Sequence, residues 1–386
     1  MNILMILANP FTHDPRVYNE AKSLVNAGHN VTVFAWDKKG KLPKNDIKNA
    51  INIVRSYNNK LINLIPYDFL KLHLWWRKGY KEILKLFEEK SFDVIHCHDL
   101  STLPIGVKLK KKFGFKLIYD AHEIFWYMIA DDVPKFVMTY TYHLEKKLCK
   151  RVDKIITVNK PVKYYFEKIS NCSIKIVMNA KPFLYKDYSP PKNKIFTVLY
   201  LGGIDRTRNL LEITEAVNSL TNIKFVVGGK THEINYCKKL KEKCNMSKNC
   251  EFIGRIPMDE VIPMTRKSDL VVHLATAKSE KTKWPINIDL PSRFGLPNKL
   301  FESMVAGRPI IVPKNTYEAE FVSKIENGIA VDVTVDNIKN VLNSLKDDKQ
   351  LCEKLGKNAF KAAKDKYNWK KQEEILLKLY DNILEE

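Results

Sequence analysis

The chain has 386 residues, 45% of them hydrophobic and 28% charged, which is too long for one ordinary core and too apolar for a disordered chain, so two α/β domains are expected. The formal net charge is +21; residues 1–190 hold 32 Lys+Arg against 18 Asp+Glu, or +14, leaving +7 for the rest, so the N-terminal half is expected to face an anionic ligand or surface, or simply to present a solvated lysine-rich face. Seven cysteines without a C-x-x-C pair fit a reducing compartment rather than a disulfide framework, and no apolar run reaches membrane-spanning length.

The opening Met1–Ala8 has no preceding basic residue and no small-residue cleavage pattern, so it reads as a buried strand rather than a leader. Further strands are expected over Val31–Ala35, Val94–Cys97, Lys116–Tyr119, Lys154–Val158 and Ile174–Val177. Helical patterns lie between them; the first opens near Val17, runs through Ala21, Leu24 and Val25, and stops at Ala27-Gly28-His29. Strand and helix in alternation predict a parallel sheet covered on both faces. A proline-rich, polar stretch at roughly 181–193 reads as a linker. A second series follows, with strands over Phe196–Leu201, Ile223–Val227, Cys250–Ile253, Leu270–Leu274 and Pro309–Val312. The chain closes on an amphipathic helix from about Trp369 to Leu384 with no strand after it, for which the first domain is the candidate docking partner. The expected division is therefore 1–185, 190–366, and a terminal helix over 367–386 returning to the first domain.

Open parallel sheets bind ligands at the carboxyl ends of their strands. His98 and Asp99, and His122 and Glu123, directly follow two such strands. His96, Cys97 and His98 suggest a metal, but adjacent strand residues point to opposite faces and no second ligand cluster is visible in the sequence, so none is expected. In the second half, Leu296-Pro297-Asn298-Lys299-Leu300-Phe301-Glu302 opens a short helix, with Pro297 suited to its first position and Gly307 to its cap. Free N–H groups at that end and the Lys299 ammonium suit a phosphate, and Glu302 one turn on can accept ribose hydroxyls. The same residues also fit an ordinary helix start, with Asn298 as cap. Gly202-Gly203-Ile204-Asp205-Arg206-Thr207-Arg208 follows a strand and offers a flexible turn with two guanidinium groups, which suits a diphosphate, although either arginine also fits a surface salt bridge.

The Pro297–Glu302 segment resembles the donor motif of family 4 glycosyltransferases of the GT-B fold, in the subgroup reading P-N-K-L-F-E. Thr12-His13-Asp14-Pro15-Arg16-Val17, Phe92–Asp99, Tyr119–Glu123, Lys154–Asn159, Ile176–Asn179 and Leu199–Gly203 match in the same order. The resemblance spans essentially the whole chain. It implies two Rossmann-like doubly wound domains facing across a cleft, transfer of a sugar from a nucleotide diphosphate to an acceptor hydroxyl with retention of configuration, and no metal or other cofactor. The site residues it implies are His98, Asp99 and His122 for catalysis. The donor would be held by Gly202, Gly203, Arg206, Arg208, Arg255, Ile256, Asn298, Lys299, Leu300 and Glu302. His13, Asp14, Arg16 and Glu123 would meet the acceptor, a glycan or a lipid-linked molecule.

Two departures from the pattern stand out. The family places a glutamate eight residues before Glu302, where this chain has Phe294, with Asp289 the nearest substitute. Gly203 occupies the place of a basic residue. Trp75, Trp76, Arg77 and Lys78, together with Lys108, Lys110, Lys111, Lys112 and Lys116, suggest peripheral contact with an anionic membrane, so the expected location is cytoplasmic at the inner face of the cell membrane; core packing accounts for the tryptophans equally well. Three other classes remain in view: an epimerase, which would convert donor without acceptor; a non-catalytic descendant; and a nucleic-acid binder, which no motif supports, so no nucleic-acid partner is expected.

Overall fold

The computed structural model describes residues 1–130, 132–231, 233–276 and 293–384. The chain divides into two compact units, one formed by Met1–Met178 with the chain from Gln372 onward, the other by the described residues of 179–371.

The first unit is an eight-stranded sheet of β1 (Asn2–Leu7), β2 (Asn30–Asp37), β3 (Asn45–Lys48), β4 (Ile51–Tyr57), β5 (Val94–His98), β6 (Lys116–Ala121), β7 (Lys154–Thr157) and β8 (Ser173–Ile176). Their order is β3-β4-β2-β1-β5-β6-β7-β8, parallel throughout except that β3 runs against β4. All five residues of β5 are buried, as a parallel strand covered on both faces requires, and this puts two histidines inside the sheet. The hairpin β3–β4 was not expected: β3 is exposed along its whole length and so has no apolar signature, and its turn uses Asn49 and Ala50, both at positive φ, rather than an asparagine–glycine pair. The first helix, Pro15–Asn26, starts where Asp14 Oδ1 accepts from the Val17 N–H, with Pro15 in its first turn, and ends at Gly28, whose φ is +85°.

The second unit carries β9 (Phe196–Leu201), β10 (Ile223–Gly228), β11 (Cys250–Gly254), β12 (Leu270–Val272), β13 (Ile310–Pro313) and β14 (Gly328–Val331). The order is β11-β10-β9-β12-β13-β14 and every pair is parallel. This is the doubly wound order in which the chain reverses direction across the sheet between β9 and β12. In the first unit the corresponding reversal falls between β1 and β5.

The last helix, Trp369–Ile383, contributes its residues from Gln372 on to the first unit: the Met178 N–H donates to Gln372 Oε1 at 2.8 Å, and Leu376, Leu379 and Tyr380 are buried. Trp75 and Trp76 belong to the helix Asp68–Glu89 and are core residues, Trp75 stacking on Trp36 with ring centroids 4.7 Å apart. One cysteine pair, Cys244–Cys250, is bonded, which the cysteine spacing had not led us to expect; five cysteines are free.

Candidate functional site

In the first unit the strand ends gather a buried polar network. Asp120, near the end of β6, is its centre. Arg16 grips it through Nη2 to Oδ1 at 2.7 Å and Nε to Oδ2 at 3.1 Å, and donates Nη1 to the Val177 carbonyl. His122 Nε2 lies 2.9 Å and His98 Nδ1 3.3 Å from Asp120 Oδ2. Glu20, one turn after Arg16 on the first helix, lies 3.1 Å from the same guanidinium. Asp99 closes the far side: its Oδ1 accepts from the His122 N–H at 3.2 Å and its Oδ2 stands 3.4 Å from His122 Nδ1. Asp99 has φ +60°, a left-handed conformation that costs a non-glycine residue energy and recurs where surrounding structure fixes a functional group.

Charge follows geometry. Burial works against a charged Asp120, yet Arg16 and His122 outweigh it and hold the carboxyl well below its usual range. Burial also opposes a charged His122, but Asp99 and Asp120 raise it to about 9, so the ring is an imidazolium at neutral pH. Burial and the neighbouring Asp120 push Glu20 up to about 8, leaving Asp120 as the principal partner of Arg16. His96, stacked on His98 and bonded through Nδ1 to the Tyr380 hydroxyl at 2.8 Å, is held neutral by burial and by His98.

His96 and His98, two apart, share one face of β5, and the structure sets them beside Glu20 and Asp120 with one ligand atom from each within 4.8 Å of the others. A ligand cluster that the sequence did not reveal therefore exists. Arg16 bonded to one of its carboxylates and paired with the other already supplies the cationic charge there, so the group reads as a balanced buried network. Of the residues assigned to the acceptor, Arg16 is buried in this network and Asp14 is a helix cap that also accepts from Asn9, whereas His13 and Glu123 are exposed. Glu20 and Asp120 were missed, and His96 was weighed only as a metal ligand and set aside, although spacing carried the signal for the first two: Arg16 and Glu20 at i, i+4, and Asp120 two residues before His122.

In the second unit β9 runs into Gly202, at φ +154°, where a Cβ would lie 2.3 Å from Lys299 Nζ. Behind it, a Cβ on Gly229 would lie 1.6 Å from the Gly202 carbonyl oxygen, so the ends of β9 and β10 close up only because both positions are glycine. Lys299 sits in the first turn of the helix Asn298–Ala306, its ammonium 4.6 Å from the centroid of the Tyr200 ring. No carboxylate of the described residues forms an ion pair with it. Burial and the nearby Arg208 bring its pKa down to about 8. Pro297, not Asn298, is the cap residue, and no side chain caps this end; Asn298 begins the helix. Leu300 is core. Glu302 Oε1 lies 3.3 Å from Lys181 Nζ, a partner that sequence spacing could not indicate.

Arg208 turns back to Asp205 at 3.1 Å, while Arg206 pairs with Glu233 with 78% of its side chain exposed, which is the surface salt bridge of the two alternatives. Gly203 follows Gly202, and its carbonyl accepts from the Tyr200 hydroxyl. Ile256 packs on Leu199, Leu201 and Val226, and Arg255 is exposed. Phe294 is buried, so an apolar ring stands where the family pattern has its first glutamate; Asp289 lies outside the described residues. His273, directly after β12, bonds Glu318 at 2.8 Å, a second buried pair that sequence reasoning missed.

Two doubly wound α/β units, each with polar side chains collected where the strand order reverses, make the architecture that of the GT-B fold. Residues 16–180 match the family described as Glycosyltransferase Family 4 and residues 185–362 the family described as Glycosyl transferases group 1; the chain is a group 1 glycosyltransferase. Two uncharacterized glycosyltransferases of Methanocaldococcus jannaschii, MJ1607 and MJ1069, are each 22% identical to it, over 90% and 92% of this chain and 88% and 86% of their own. Among solved structures, sucrose-phosphate synthase from Thermosynechococcus elongatus superposes with a TM-score of 0.79 at 16% identity, covering 100% of both chains. Anabaena HepE, solved in complex with UDP, superposes with a TM-score of 0.71 at 16% identity, covering 99% of this chain and 100% of that one. No helix among the described residues is long and apolar enough to cross a membrane.

Proposed function

We propose that the protein transfers a sugar from a nucleotide diphosphate-sugar to an acceptor hydroxyl with retention of configuration and without a metal, its second unit holding the donor and its first the acceptor. The observation that carries this is Lys299: a half-buried ammonium that no carboxylate of the described residues meets in an ion pair, at an uncapped helix N-terminus, against a glycine turn at the strand-order reversal. A cation kept in that state is poised for an anion. Lys299, Arg208 and the helix N–H groups would hold the diphosphate and stabilise its departure, supplying the charge a metal supplies in other transferases. Glu302 would exchange Lys181 for the ribose hydroxyls. In the first unit the imidazolium of His122, fixed between Asp99 and Asp120, is a hydrogen-bond donor and not a base; the acceptor proton would leave with the departing phosphate oxygen on the same face. The complexes of HepE with UDP and with UDP-glucose make uridine diphosphate the first donor to test. The acceptor is a glycan or a lipid-linked molecule, and the lysine-rich first unit suits peripheral contact with an anionic membrane at the cytoplasmic face.

The test is a thermal-shift screen against UDP, GDP, ADP, CMP and their sugar conjugates, since a ligand specific to the folded state raises its stability. A shift with one nucleotide diphosphate, lost in Glu302→Ala, identifies the base. No shift with any of them would leave a non-catalytic descendant, and turnover of donor without acceptor would mark an epimerase. Activity undiminished in EDTA and an unchanged anomeric configuration in the product by NMR check the two finer points.

A further inference from the structure

The first unit contains an apolar cavity of about 210 Å³ that the network above does not use. Its walls come from the loops that carry the network: Ala8 follows β1, Leu100 and Ser101 follow Asp99, and Phe125 lies two residues after Glu123. The helices Asp68–Glu89 and Lys135–Cys149 close it with Leu72, Trp76 and Leu144. Both of its indole N–H groups are engaged elsewhere, Trp36 with Asn58 at 2.8 Å and Trp76 with the Ser101 carbonyl at 2.7 Å, and Thr141 bonds its own helix. What remains facing the cavity is mostly carbon, the Ser101 side chain and the Tyr140 hydroxyl, which bonds His73, being the other polar groups of its walls. A sugar placed there would lose its water and find few hydrogen-bond partners in return, which disfavours it against a hydrocarbon chain.

The rim differs in kind. Lys38, 4.7 Å from the centroid of the Trp36 ring and 44% exposed, lines the cavity together with Asp68, 3.7 Å away, which Lys71 also pairs. Exposed apolar side chains stand on the same two helices, Leu70 with Leu74 and Phe136 with Tyr140, each pair one turn apart. Apolar outer faces around an apolar cavity with Lys38 at its edge match an amphiphile: chain inward, anionic head at the lysine, body in a lipid surface.

We propose that this cavity binds the hydrocarbon chain of a lipid-linked acceptor, joined to its head through a phosphate that meets Lys38. The proposal rests on the transferase reading and narrows its acceptor to one class.

It is tested with n-alkyl phosphates from hexyl to dodecyl below their micelle concentrations, titrated against the tryptophan fluorescence of the full chain, with Trp76→Phe identifying the part of the change that arises at the cavity. Affinity is expected to rise ~4-fold per added methylene until the cavity is full. Leu72→Trp, which fills the cavity, and Val133→Asp, which makes it polar, should each lower dodecyl phosphate affinity at least tenfold while leaving the nucleotide-induced thermal shift intact, so that a misfolded variant is recognised. Lys38→Gln should reduce the preference for dodecyl phosphate over dodecanol. Affinity independent of chain length, or unaffected by either cavity variant, overturns the proposal. So does a concentration-dependent dimer that these variants abolish without any alkyl binding, which would assign the face to a second copy of the chain. Chain binding without any nucleotide shift would instead sink the transferase reading while leaving the cavity a lipid site.

Discussion

Replacing Lys299 with methionine separates function from stability, because the structure predicts opposite signs for the two. The fall of its pKa from 10.5 to about 8 corresponds to about 3 kcal/mol spent on keeping the ammonium charged where it is partly desolvated. With half lost to local relaxation, Lys299→Met should gain about 1–2 kcal/mol, or roughly 3–6 °C in the melting temperature of a unit this size. The sign can be checked against pH. A lysine whose folded pKa is depressed is destabilising at and below pH 8, and the penalty fades as pH rises toward 10.5, so the advantage of the variant should shrink over that interval. Donor binding should move the other way: loss of one charge-assisted contact to a diphosphate costs roughly 10- to 150-fold in affinity, and kcat/KM should fall by about 10²–10³. The assay is thermal unfolding with and without nucleotide diphosphate, alongside donor turnover. A variant that melts lower than the parent and binds nucleotide equally well would refute the reasoning on both counts.

Asp120→Asn strands the buried Arg16 and should cost about 3–5 kcal/mol in urea denaturation; an NMR titration should find His122 drifting from about 9 toward its ordinary value. Glu20 contributes stability below pH 4.5 that is lost as pH rises toward about 8, because only the unfolded carboxyl ionises over that interval. Glu20→Gln should therefore be near neutral at pH 5 and gain up to about 4 kcal/mol over the parent by pH 8 to 9; equal denaturation midpoints at both ends would refute the assignment. Gly229→Ala removes no functional group, yet its Cβ would press on the Gly202 carbonyl, so it should weaken nucleotide binding and lower the melting temperature together.

The strands were legible wherever they are buried on both faces. β1 and β9 are largely apolar runs and β5 and β6 carry apolar stretches because a parallel sheet covered by helices buries both of its faces, and the glycine stops at Gly28 and Gly307 were legible because left-handed backbone selects that residue. β3 was not legible, since an exposed edge strand has no pattern to read. The helix at Asn298–Ala306 was expected one residue early, because Pro297 suits the cap as well as the first turn.

Of the site, local spacing determined which residues stand at strand ends: His98, Asp99, His122, Gly202 and Lys299 each end or follow a strand or open a helix, and that much is written along one dimension. Their partners are not. Arg16 meets Asp120 across 104 positions, His96 meets Tyr380 across 284, and Glu302 meets Lys181 only after the second unit has folded. Those contacts set the charges of the group, making His122 an imidazolium and keeping Lys299 short of its usual basicity, because desolvation and Coulomb interaction depend on distance in space. The sequence by itself therefore determined the fold class and the positions from which chemistry is offered; the tertiary structure alone decided the protonation state in which it is offered, and which of the arginines are committed to buried pairs or to the surface.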